Sequence, residues 1–169
     1  LRMVQGCQFD TAYHEHYSYL SLGAVWRVFS AQGLQVFDVE ELGTHGGSLR
    51  VYAQRADTGR RPQSPRVDAV LEDEHRAGLG TPDFYAGLQA EAVRIKHELL
   101  RFLLQAAAEG RRVGAYGAAA KGNTLLNFAG VRPDLVPYVV DLNPAKQGRC
   151  LTGSRIPIAV AHGEGLADF

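Results

Sequence analysis

The sequence predicts an α/β protein with a parallel sheet, and three observations lead there. From residue 112 onward, short apolar runs alternate with a helical one: 112–116, then 123–129, then 136–140. Two strands separated by a helix form a βαβ unit, and such units build parallel sheets. Upstream of it, a helical stretch leads into two strand-like runs separated by Gly43-Thr44-His45-Gly46-Gly47, the pattern of an antiparallel hairpin. Composition agrees with a folded domain. Of the 169 residues, 46% are hydrophobic and 21% charged, which is ordinary for a globular chain and unlike a disordered one.

The elements follow in order. Residues 1–17 are polar and irregular. Ser18 or Ser21 is placed to cap a helix over 22–32, with Leu22, Val25, Trp26 and Phe29 on one face and Gly33 as its stop. The runs 34–42 and 48–54 make the hairpin strands. In the second, Leu49, Val51 and Ala53 alternate against Arg50, Tyr52 and Gln54. Residues 55–66 hold two prolines and a glycine among polar side chains and read as a linker. A short charged helix is expected over 67–77. Thr81 and Pro82 then look like the cap and first residue of a long helix carrying Phe84, Leu88, Ala92, Ile95, Leu99, Phe102, Leu103 and Ala106, ended by Gly110. After the βαβ unit, residues 156–160 suggest one more strand. The domain reading is therefore 1–54, a linker at 55–66, and 67–169.

Charge and cysteine usage narrow the partners. Lys plus Arg number 18 and Asp plus Glu number 18, so no net field recruits nucleic acid or an anionic membrane. No apolar run reaches the length of a membrane span. Two isolated cysteines, Cys7 and Cys150, give neither a disulfide framework nor a CxxC metal site, and suggest a reducing cytoplasm. Because it begins at Leu1 without a Met, the chain reads as a piece of something longer.

Two clusters carry chemistry. The first is the turn at Gly117, Ala118 and Lys121, where a strand passes into a helix. Backbone amides and the positive helix end there suit a phosphate, and Lys121 adds a charge. Asp141, 24 residues after Gly117 and at the end of the next strand, is placed to accept from ribose hydroxyls. Gly114 and Gly117 are three apart rather than two, so the dinucleotide fingerprint is imperfect. The rival reading is close strand–helix packing alone. The second cluster is Tyr13-His14-Glu15-His16-Tyr17. An imidazole beside a carboxylate and a phenol is equipped to take a proton next to a carbonyl. Its alternatives are a zinc site through His14 and His16, needing Cys7, Glu15 or His45 as a third ligand, and loop hydrogen bonding without chemistry.

Four blocks, in one order along the chain, resemble bacterial sugar C-methyltransferases that act at C-3 of nucleotide-linked 4-keto-deoxyhexoses. They are Phe9-Asp10 with Tyr13 to Tyr17; His45-Gly46-Gly47-Ser48-Leu49-Arg50; Tyr116-Gly117-Ala118 with Ala120-Lys121, Asn127-Phe128 and Gly130; and Pro133-Asp134-Leu135-Val136 with Asp141, Pro144, Lys146-Gln147 and Ile156-Pro157. His14 stands where a relative carries Asp. The resemblance implies that residues 1–54 are the terminal helix and hairpin of a class I methyltransferase domain, and that 67–169 form a Rossmann-like substrate domain ending before the family's last strands. It implies His16 as general base, with Tyr13 and Glu15 completing the site. It also implies a nucleotide-diphosphate sugar held by Gly117, Ala118, Lys121 and Asn127, with Asp141 as a further contact. The cofactor implied is S-adenosylmethionine, whose glycine-rich loop lies upstream in the family, as does a zinc module. No metal is assigned to this chain. On this reading the parent is the enzyme and the chain alone is inactive. Two rivals remain: an NAD-type dinucleotide domain of an oxidoreductase, and a metal-binding interaction module.

Overall fold

The structure, a computed structural model, describes residues 1–160. The chain forms two compact units. The first contains Leu1–Phe9 and His16–Gln89; the second contains Asp10–Glu15 and the chain from Ala90 onward.

In the first unit, a four-residue helix α1 (Arg2–Gln5) precedes α2 (Leu22–Ala31), the hairpin β1 (Leu34–Leu42) and β2 (Ser48–Arg55), and α3 (Pro65–Arg76). Residues 1–17 are thus not wholly irregular, since Phe9–Thr11 also makes a 3-10 turn. β1 and β2 pair antiparallel, from Leu34 opposite Arg55 to Leu42 opposite Ser48, with a register shift between Val36 and Asp38. Helix α2 starts where the sequence places it, because the Ser21 hydroxyl accepts from the Ala24 amide. Leu22 is fully buried with Val36, Val39 and Val67, and Phe29, Leu49, Val51, Val70 and Leu71 pack around them. Trp26 does not join this core: it is 41% exposed, because β1, β2 and α3 cover only the Leu22 and Phe29 side of α2.

Residues 55–66 do not divide the two units. The division falls at Gln89 and Ala90, inside α4 (Leu88–Ala108). The segment instead stays on the hairpin. The Gln54 side chain donates to the Arg61 carbonyl at 2.7 Å and accepts from the Arg61 amide at 3.0 Å. The Ser64 amide donates to Phe37 O at 2.8 Å, and the Arg66 guanidinium clasps Asp38. Prolines and a glycine here shape a tethered loop rather than a hinge. The Thr81-Pro82 signal opens only a 3-10 turn, Pro82–Tyr85, with no side-chain cap, and the long helix begins later.

The second unit holds a three-stranded parallel sheet in the order β3 (Ala115–Tyr116), β4 (Val139–Asp141), β5 (Ile158–Val160), with α5 (Ala120–Ala129) between the first two strands. All three strands are shorter than their apolar runs suggest. Leu103 of α4 packs with Ala118, Ala129, Val131, Val136, Val139, Leu151, Ile156 and Ile158 to make the core. Phe102, expected on the same stripe, is 52% exposed, since the buried face of α4 runs through Leu103 and Ala106. Among the described residues no helix is long and apolar enough to cross a membrane.

Candidate functional site

Where β3 passes into α5, Gly117 adopts φ +90°, a left-handed value that glycine adopts without a side-chain penalty. Its amide donates to Val140 O at 2.7 Å, stitching the turn to β4. The helix then starts at Ala120, three residues ahead of the sequence expectation, with Ala119 as its N-cap and no side-chain cap. Lys121 therefore belongs to the first turn of α5 and not to the preceding loop.

At the end of β4 the Asp141 carboxylate has protein partners on both oxygens. Oδ2 accepts from the Ala118 amide at 2.7 Å and from Lys146 Nζ at 3.1 Å, while Oδ1 accepts from the Asn143 amide at 2.8 Å. Lys146 Nζ also donates to Ala118 O at 2.8 Å, and Gln147 Nε2 to Asp141 O at 2.9 Å. The Asn143 amide foremost, then the Lys146 ammonium and, more weakly, the Ala118 amide, hold the Asp141 carboxyl below its ordinary value against the opposing effect of burial. Three of its acceptor sites are taken by the protein, so besides any part in binding ribose hydroxyls it clamps the turn.

A groove of about 230 Å³ opens beside this clamp, lined by Ala118, Ala119, Ala120 and Asn123 on one side and by Lys146, Arg149, Cys150, Leu151, Thr152 and Ile158 on the other. Asn127 is a wall brace: its Nδ2 donates to Asn123 O at 2.9 Å, to Asn123 Oδ1 at 3.0 Å and to Thr152 O at 2.9 Å. Lys121 and Asn127 are not among the lining residues. Lys146 and Arg149 are, and the sequence reading gave them no role. The signal was present in Asp141-Leu142-Asn143-Pro144: an Asp and an Asn whose side chains bond amides two residues on, as Asp141 does to Asn143 and Asn143 to Ala145, turn the chain and carry Lys146 back to the strand end.

The second cluster lies in an open segment. Tyr13 and Glu15 belong to the second unit and His16 to the first. The His14 and Glu15 side chains are exposed, with Nε2 and Oε1 4.0 Å apart, and the Tyr13 and His14 rings lie 6.4 Å centre to centre. The half-buried His16 meets the Tyr19 ring edge-on at 6.1 Å. Tyr17 is 95% exposed. Among the described residues no group of three or more His, Cys, Asp or Glu is placed to hold a metal ion. Cys7 is buried with its thiol toward Leu88 O, and Cys150 is exposed.

Residues 43–163 match the model of the C-methyltransferase C-terminal domain, and the chain belongs to that family. It is 34% identical over 158 residues to the C-methyltransferase NovU of Streptomyces niveus, an alignment that covers 94% of this chain and 37% of that protein. The chain thus spans well under half the length of this curated relative.

Proposed function

We propose that this member of the C-methyltransferase family is the rear part of an S-adenosylmethionine-dependent enzyme that methylates a keto-deoxysugar carried on a nucleotide diphosphate. The family match over residues 43–163 carries this reading. It also disfavours the oxidoreductase alternative. In this account the second unit is a Rossmann-like substrate domain. Its groove takes the diphosphate against the Gly117 and Ala118 turn and the first turn of α5, where Lys121 contributes charge. Asn127 and Asp141 serve by holding the groove walls, and Arg149 supplies a cation on the lining. A cytoplasmic setting accords with a cysteine content of only two residues in 169.

The chemistry assigned to the other cluster is proton removal. His16 takes the proton from C-3, the C–H electron pair moves into the adjacent carbonyl, and an enolate results. Tyr13 and Glu15 assist as donor and orienting group. The methyl group comes from S-adenosylmethionine.

Two measurements test the reading. Thymidine or uridine diphosphate should raise the melting temperature of the chain more than NAD does; an equal or larger NAD effect would return the dinucleotide reading to first place. In the full-length protein His16→Asn should lower methyl transfer by about 10²- to 10⁴-fold and slow solvent exchange of the C-3 hydrogen equally. A wild-type rate in that variant would remove His16 from the base role.

A further inference from the structure

We propose that Lys146 is a positioning residue for the groove, acting on a bound diphosphate through Ala118 and Asp141 and not by touching it. The inference rests on the reading of this groove as a nucleotide-diphosphate site. Ala118 is the residue on which the turn hinges, immediately after the left-handed Gly117. Both of its backbone polar groups are held from the β4 end, its amide by Asp141 Oδ2 and its carbonyl by Lys146 Nζ. The same ammonium reaches Asp141 Oδ2, which closes a three-membered ring of contacts among residues 118, 141 and 146. Ala118 and Asp141 are both buried, so water cannot easily replace a lost partner.

The charge balance points the same way. Lys146 is paired with Asp141, so it adds little net field to the groove. Arg149, on the same lining, has no acidic partner among the described residues, so it, with Lys121 on the first turn of α5, supplies the anion-attracting charge of the groove. The Asn143 amide and the Gln147 side chain fix Asp141 from its other side, which leaves the ammonium as the one contact of the ring that ends on a flexible side chain. Removing it frees the Ala118 carbonyl and loosens the aim of the amides that follow at Ala119 and Ala120.

The test compares wild type with Lys146→Met, which keeps the stem and loses every donor, and Lys146→Gln, which retains a donor for Ala118 O without charge. Affinities for thymidine and uridine diphosphate are measured across a salt series, and amide exchange of Ala118 is followed without ligand. Lys146→Met should bind about tenfold more weakly with faster exchange at Ala118, its salt dependence returning to that of wild type when Asp141→Asn is added to cancel the uncovered carboxylate, and Lys146→Gln should fall between. A salt dependence that stays flatter in the charge-balanced Lys146→Met, Asp141→Asn variant would show the ammonium touching phosphate itself and overturn the proposal. So would unchanged affinity, or unchanged exchange. If wild type binds neither nucleotide, the diphosphate reading of the groove fails, while the exchange comparison still decides whether Lys146 holds the turn.

Discussion

Glu74 closes the start of α2 from 52 positions away, its Oε1 accepting from the Leu22 amide at 2.7 Å. Its second oxygen accepts from Gly23 at 2.8 Å, and the Ser21 hydroxyl takes the Ala24 amide at 3.1 Å. Three amides at the positive end of α2 are thereby satisfied, two of them by a carboxylate that is only 6% exposed. A β-carbon at position 23 would sit 3.2 Å from Glu74 Oε2, so the glycine leaves room for the two-pronged grip.

Glu74→Ala should therefore strip two buried amides of their acceptors and destabilise the first unit by about 2–4 kcal/mol. Glu74→Gln should cost about half as much, since one amide oxygen serves only one of the two donors. Trp26, the single tryptophan of the chain and a residue of α2, reports the transition by fluorescence in denaturant. An unmoved midpoint in the alanine variant would show that water or another group caps α2.

Gly114 fits against Tyr138. A β-carbon at 114 would lie 2.3 Å from Tyr138 Cζ, an approach no side chain tolerates. Gly114→Ala should displace the ring and destabilise the second unit by about 1–3 kcal/mol, while the same substitution in a Tyr138→Ser background should be close to neutral. Denaturation of the four members of that cycle measures the coupling. Additive losses would mean that Gly114 matters for backbone conformation and not for the ring.

These two pairs show which parts of the molecule were readable in the sequence. Helix α2, the parallel pairing of β3 with β4 and the strand-to-helix turn at Gly117 rest on local signals: a serine cap, apolar runs and a glycine. Each appears in the structure within a few residues of its expected place. The loop at 55–66 was misread because prolines and a glycine describe how a chain bends, whereas what tethers it is a side chain on β2, Gln54. The partners of Asp141 were hidden for a related reason. Its position at a strand end was correct, but its partners come from Ala118, 23 residues earlier, and from Lys146 on a turn that only the folded chain brings back. Gly114 looked like part of a phosphate fingerprint, and the structure gives it a packing partner instead. The cluster at Tyr13 to His16 was found by residue chemistry alone, and its proposed role depends on the family resemblance more than on burial.

Asp141 also sets an acid limit on the second unit. Its folded carboxyl is held below the unfolded value of about 3.8, first by the Asn143 amide and next by the Lys146 ammonium. A depressed acid contributes stability that is complete above the unfolded value and fades as pH falls through the folded one, because the unfolded chain binds the extra proton first. Wild type should accordingly exceed Asp141→Asn in protection of the Val139 and Val140 amides at neutral pH, and that gap should narrow once the pH drops below about 3.8. Glu91, held below its ordinary value by Arg94 on α4, is common to both proteins and cancels in the difference. The asparagine variant keeps the shape of the side chain but presents an NH₂ group to one of the amides that the carboxylate receives. A gap of constant width across the acid series would therefore assign the clamp to geometry and take ionisation out of the explanation.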